Sequence, residues 1–416
     1  MEWYSLKSVA AERLVCQRPA DGALRGDNKR HMKVEAGACA ELGSEPERFR
    51  LGYQSCLDGL RGVAILGVLV YHANGAYKNF GPIGVDIFFV LSGFLITCLL
   101  IEEWDEFQSI SLKAFYMRRV LRLLPALVAM LAIMAGFQWA FSPRVAALQT
   151  TRDTLIALFY SSNWAIVLGF TQLAFPHTWS LSIEEQFYLT WPMLLFVLLR
   201  RTTSRSSVLA WILLGFFLIL LEKVIIRLVA PRGAVLWLQY ATEVRADALM
   251  IGCALAVVFT AGLFPETWWW KKALPCAAWG VAVPGLVLLS FWDVPTEFYL
   301  VVFHSIVAVL VATVMAHLLT DTTGALNGLL SQSWLVYVGK ISYGLYLWHL
   351  PIFTGVQVLR WNPFARLTLE FALTAVATLA SYYLLESPVL RWKRRFAPCV
   401  CTSSAKGSCM SLGKTE

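Results

Sequence analysis

Apolar residues in this chain gather into long unbroken runs. They show neither the alternation of a half-buried strand nor the narrow stripe of a soluble amphipathic helix. Eleven runs can be marked, at about 59–76, 82–101, 123–142, 153–170, 178–199, 208–229, 244–262, 273–291, 298–318, 334–356 and 366–386. Most are roughly 18 to 22 residues long, which as an α-helix crosses a bilayer core. The pattern predicts an all-α fold, a polytopic membrane helix bundle. The fourth run is the poorest spanning candidate. Its Tyr160-Ser-Ser-Asn-Trp164 stretch puts polar side chains where lipid satisfies none of them.

Basic residues arbitrate the topology, because cytoplasmic loops carry an excess of Lys and Arg. If the fourth run does not cross and the N-terminus is cytosolic, Arg48, Arg50, Arg61, Lys113, Arg118, Arg119 and Arg122 fall on the inner side. Arg200, Arg201, Arg205, Lys271, Lys272, Arg391, Lys393, Arg394 and Arg395 join them there. The outer side then holds only Lys78, Arg144, Arg152, Arg232, Arg360 and Arg366. If the run does cross, every later loop changes side and the bias vanishes. The expectation is about ten transmembrane helices with both termini cytosolic, in the plasma (inner) membrane. A long outer loop, 142–177, holds an additional re-entrant or interfacial helix. Residues 1–52 read as a polar cytosolic extension without an apolar signal region, 53–395 as the membrane domain and 396–416 as a cytosolic tail.

Composition narrows the class further. Hydrophobic residues make up 58% of the 416 and charged residues only 15%, which excludes an ordinary soluble domain. The net charge of +8 sits in short clusters beside apolar runs, as topology requires, and does not point to nucleic acid. Nine cysteines include no Cys-x-x-Cys pair, so neither a metal site nor a disulfide framework is expected. Cys56, Cys98, Cys253 and Cys276 lie in or beside apolar runs and read as free thiols.

Ionisable side chains within spans are costly, so each is a functional candidate. Arg61 and His72 are eleven residues apart. That is three helical turns plus about 20°, so both project from one face, about 16 Å apart along the axis. The structural alternative makes Arg61 a boundary arginine paired to Asp58 and His72 a helix-end histidine. Asp86 opens the second run, where Gly81, Gly84 and Gly93 suit close backbone approach. Arg118, Arg119 and Arg122 form a basic cluster that reads as a topology anchor or as a phosphate clamp. Glu184 and Glu185 follow His177, and Ser182-x-x-Glu185 has the form of a capping box. Arg245 and Asp247 start another run, and His349 precedes Pro351. The expected topology places His72, Asp86, Glu184, Glu185, Arg245, Asp247 and His349 in the outer half. Arg61 and the 118–122 cluster fall near the inner face. A cavity joining the two sets suits either a transferase with an anionic cytosolic donor or a transporter or flippase with a proton relay.

Seven collinear stretches then take on a common meaning: "LDGLRGVAILGVLVYH", "GVDIFFVLSGFLIT", "FYMRRVLRLLPAL", "HTWSLSIEEQFYLTWP", "RADALMIGCALA", "VGKISYGLYLWHLPIF" and "LLESPVLRW". Together they resemble the acyltransferase 3 family of integral-membrane O-acyltransferases, over residues 55–395. The resemblance places the family's Arg-x10-His motif on Arg61 and His72. It places the Phe-Phe-x-x-Ser-Gly-Phe motif on Phe88, Phe89, Ser92, Gly93 and Phe94, and Arg-x-x-Arg on Arg119 and Arg122. The Glu-Glu-Gln-Phe-Tyr segment falls on Glu184 to Tyr188.

It implies transfer of an acyl group, usually acetyl, from acyl-coenzyme A to a hydroxyl of a glycan, lipopolysaccharide or other acceptor, with no bound cofactor or metal. His72 would be the general base and Arg61 would orient the donor. Arg119 and Arg122, with Arg118 beside them, would hold its phosphates, and Glu185 would orient His72 or the acceptor. Two features depart from the pattern. The N-terminal extension is long, with Met32 as a second start, and no esterase-like domain follows the last run. The latter leaves open whether a separate extracytoplasmic transferase partner finishes the transfer.

Overall fold

The computed structural model describes residues 50–74, 78–170, 172–202, 204–230, 234–263, 268–359 and 361–392. Most of the N-terminal extension and the whole of the tail from 396 lie outside the described residues. Those that are described form an all-α bundle with no strand among them.

Helices α1 (Ser55–Asn74), α2 (Phe80–Phe107) and α3 (Leu112–Phe141) open the chain. Of the most apolar stretch of α2, 89% is buried, against 22% in α3 and 17% in α7 (Arg205–Val229). The central helix is therefore α2, while α3 and α7 form part of a perimeter. Phe137, Phe141, Phe217 and Leu228 project outward from that perimeter, as a lipid-facing surface requires.

The fourth apolar run is not one helix. It forms α4 (Arg144–Leu158) and α5 (Ser162–Val167), separated where Tyr160 takes a left-handed φ of 49°. The polar interruption is internal to the protein: Ser162 and Asn163 are fully buried, and Asn163 donates to the Tyr240 carbonyl and the Thr242 hydroxyl.

The chain continues through α6 (Thr178–Arg201), α7, α8 (Val235–Tyr240) and α9 (Thr242–Thr260). The next run joins α10 (Trp268–Ala277) to α11 (Val283–Phe291) through the π-helical turn Ala278–Ala282. A second π-helical turn, Tyr299–Phe303, links the short α12 (Thr296–Phe298) to α13 (His304–Thr320). The run expected at 334–356 breaks at Ile341, giving α15 (Ser333–Lys340) and α16 (Ser342–Gln357) after the short α14 (Ala325–Leu330). Last come α17 (Pro363–Ser381), the π-helical turn Tyr382–Glu386 and α18 (Ser387–Trp392).

Seven helical stretches among the described residues are long and apolar enough to cross a membrane. The expected ten included α6, α9 and α16 as well. Helices α6 and α9 carry ionisable side chains into the bundle, and α16 has only 16 residues.

Small residues set the helix spacing. A Cβ on Gly93 of α2 would overlap the Leu249 carbonyl oxygen of α9, and one on Gly252 would overlap the Val90 carbonyl oxygen of α2. The two backbones thus touch, which is the packing role expected of Gly93.

Candidate active site

A cavity of about 740 Å³, measured to its mouth, lies where α1, α2, α3, α6 and α16 meet. Arg61 comes from α1, Ser92 with Phe88 and Phe89 from α2, and Arg119 and Arg122 from α3. Glu184, Glu185 and Tyr188 come from α6, and Tyr343 and Tyr346 from α16. Arg119 and Arg122 share a face because they are three residues apart, and Glu184 and Tyr188 because they are four apart.

Ser92 Oγ donates to Glu184 Oε1 at 2.7 Å, which fixes that carboxylate against α2. The Arg119 guanidinium sits 4.8 Å over the Tyr188 ring. Arg61 approaches Asp58 at 3.9 Å, and Asp58 also accepts from the Tyr53 hydroxyl at 3.0 Å. Arg61 thus pairs with Asp58, as the structural alternative has it, and also lines the cavity. Glu184 and Glu185 were expected in the outer half with His72. They line the same cavity as the arginines. Nor is Ser182 a cap: α6 starts at Thr178, and Ser182 Oγ donates back to the Thr178 carbonyl from inside the helix.

His72 does not line this cavity. On α1, the face between it and Arg61 is filled by Ile65 and Val68, both fully buried, so the middle of that face is a helix contact. His72 instead meets His349, ring centroids 4.9 Å apart, and His349 meets His177 at 5.4 Å. Pro351 helps to assemble this group. It has no N–H, so the Leu347 carbonyl one turn earlier is free, and His177 Nε2 donates to it at 3.2 Å.

His72 Nδ1 donates to the Val68 carbonyl at 2.9 Å, which leaves Nε2 as the basic nitrogen. Tyr346 stands between cavity and histidines. Its ring lies 5.5 Å from His349 and its hydroxyl bonds Ser180 Oγ at 2.6 Å, and both Tyr346 and Ser180 line the cavity.

Asp86, Arg245 and Asp247 belong to a third group, whose Arg245 guanidinium lies 5.7 Å from the ring of Phe89 behind the cavity wall. Arg245 Nη2 donates to Asp86 Oδ1 at 2.6 Å, and His304 Nδ1 meets Asp86 Oδ2 at 2.7 Å. Lys223 Nζ and Ser305 Oγ donate to Asp247 Oδ2 at 2.6 and 2.5 Å. Every charged member is buried. Arg118 also stands apart from the cavity lining, paired with Glu103 at 3.4 Å.

Residues 54–386 match a family model described as an acyltransferase domain, of the acyltransferase 3 type. The chain belongs to the acyltransferase 3 family. It is similar to the O-acetyltransferase OatA of Staphylococcus aureus, 32% identical over 81% of this chain and 57% of that protein. It is also similar to the peptidoglycan O-acetyltransferase OatA of Listeria monocytogenes, 32% identical over 82% and 56% respectively. A putative peptidoglycan O-acetyltransferase of Bacillus subtilis, YrhL, is 35% identical over 80% and 54%. The chain thus spans little more than half the length of these curated relatives. No solved structure matches it.

In this acyltransferase 3 chain, four of the motif sets meet at one cavity: Arg61, the Phe88–Ser92 stretch, Arg119 with Arg122, and Glu184 with Glu185. Sequence reasoning did not single out Tyr160, Ser180, Tyr343 or Tyr346 as part of that lining. Tyr160 sits at the α4–α5 break, Tyr343 and Tyr346 follow the break at Ile341, and Ser180 lies in the first turn of α6. Lys223 and His304 were also missed, although each is an ionisable residue inside an apolar run, a signal that was available. Among the described residues no cluster of His, Cys, Asp or Glu could hold a metal ion.

Proposed function

We propose that this chain is a membrane O-acyltransferase that moves an acyl group, acetyl by analogy with its relatives, from acyl-coenzyme A to a hydroxyl of a cell-wall glycan. The observation that carries the reading is the cavity in which Arg61, Arg119 and Arg122 converge beside Glu184 and Glu185. A phosphate-bearing donor matches that set, because guanidinium groups bind phosphate oxygens through charge-assisted, often bidentate, hydrogen bonds. The donor's anionic part rests on Arg119 and Arg122, and Arg61 orients its thioester end.

His72 Nε2 takes the proton of the attacking hydroxyl, and its tautomer suits that task. The acyl group reaches His72 past Tyr346. The cavity mouth and both chain termini face the cytosol, the histidines face the outside, and the membrane is the plasma membrane.

The test uses the protein in lipid vesicles with acetyl-coenzyme A and a glycan acceptor. Arg119→Ala with Arg122→Ala should raise the donor KM by roughly 10- to 100-fold with a smaller change in kcat. His72→Ala should lower kcat by 100-fold or more at nearly unchanged donor KM. Wild-type protein that cleaves no thioester with any acceptor, as a passive carrier would behave, sinks the reading.

A further inference from the structure

The three histidines are locked in a common way. Each spends its only N–H on a backbone carbonyl. His72 Nδ1–H donates to Val68 at 2.9 Å, His349 Nδ1–H to Tyr346 at 2.7 Å and His177 Nε2–H to Leu347 at 3.2 Å. A carbonyl oxygen can only accept, so the proton must sit on the nitrogen that faces it. In the neutral imidazoles the other nitrogens, His72 Nε2, His349 Nε2 and His177 Nδ1, are lone pairs. The last two are buried and have no partner.

The rings succeed one another at 4.9 and 5.4 Å, and only His72 is partly exposed. The histidines act electrostatically on one another, His72 on His177 and both of these on His349. Tyr71 lies edge-on to His72, and Tyr346 lies beside His177 and His349. The Tyr346 hydroxyl cannot serve the lone pairs, because it donates to the His177 carbonyl at 2.8 Å. Three acceptors without a donor make a cluster that lacks one proton.

We propose that His349 and His177 are positioning residues that share the proton taken up by His72, so that the trio acts as one base. The proposal rests on the acyl-transfer reading. As the acceptor oxygen bonds the acyl carbon, its O–H bond breaks and the proton passes to His72 Nε2. The C–S bond of the thioester breaks with its electron pair on sulfur, and the thiolate leaves and takes a proton from water. The new His72 Nε2–H finds an acceptor in His349 Nε2 after a small ring rotation, and a proton passed on meets His177 Nδ1. A positive charge spread over three imidazoles is better tolerated in a dry interior than one held on a single ring. The proton returns to water through the exposed edge of His72.

Two measurements test this. Nitrogen-15 spectra of histidine-labelled protein in lipid, assigned with His349→Gln and His177→Gln, should show Nδ1–H tautomers for His72 and His349 and an Nε2–H tautomer for His177. An Nε2–H tautomer at His349 overturns the proposal, whatever the enzyme's activity. In the transfer assay, His349→Phe should lower kcat roughly 10- to 100-fold at unchanged donor KM, and His349→Gln, whose amide oxygen still accepts, should recover part of the loss. The wild-type rate should bend when plotted against the deuterium fraction of the water, and the His349→Phe rate should be linear. A linear wild-type plot, or an unchanged kcat in His349→Phe, overturns the proposal. Absence of any wild-type thioester cleavage would instead remove the acyl-transfer reading and leave the tautomers standing.

Discussion

Arg61 and His72 show how far a helical period carries at the scale of single residues. Eleven residues at 100° each put both on one face of α1, and both do serve polar sites. The period does not say what lies between them, and Ile65 and Val68 close that stretch against the bundle. The two ends thus belong to two neighbouring sites with Tyr346 between. The buried pair of Lys223 and Asp247 makes a separate prediction. With Lys223 removed, Asp247 keeps Ser305 as hydrogen-bond donor but loses the cation that touches it. Lys223→Met should cost about 3–5 kcal/mol, and Lys223→Met with Asp247→Leu should recover much of it. Thermal unfolding in detergent checks the pair, and equal Tm losses in single and double variants would refute the coupling.

At the scale of elements, the decisive contact is the crossing of α2 and α9. Gly93 and Gly252 let each backbone approach the other's carbonyl, and no side chain fits between them. Gly252→Ala should force the helices apart and cost about 1–3 kcal/mol, seen as a lower Tm and a lower folded yield. An alanine variant with wild-type Tm would show that the crossing is looser than drawn. Helix breaks matter as much as helices here. The polar Tyr160–Trp164 stretch correctly foretold a fault in the fourth run, and α4 and α5 are the result. The break at Ile341 falls between Lys340 and Ser342 in "VGKISYGLYLW", inside a run that the apolar pattern reads as one continuous segment. Pro351 was visible as a helix irregularity. That its freed Leu347 carbonyl would capture His177, 170 residues away in sequence, was not.

For the whole molecule, the charge bias that set the expected topology leads to a labelling test. With loop 142–177 outside and the α6–α7 turn inside, Val145→Cys should react with an impermeant maleimide on intact cells and Ser206→Cys should not. Both positions are exposed, and the assay uses a background without Cys276 and the tail cysteines. Equal labelling of the two would refute the ten-span arrangement.

The all-α class, the membrane setting and the identities of Arg61, His72, Arg119, Arg122, Glu184 and Glu185 were legible in sequence. Long apolar runs have one stable form in lipid, and ionisable residues within them stand out against it. Which of those residues meet was decided only by the tertiary structure. It joined Glu184 and Glu185 to the arginines, His72 to His177 and His349, and Asp86 and Asp247 to Arg245 and Lys223. Meetings between distant helices depend on crossing points, breaks and freed carbonyls. These arise from contacts across the whole chain, and no local period encodes them.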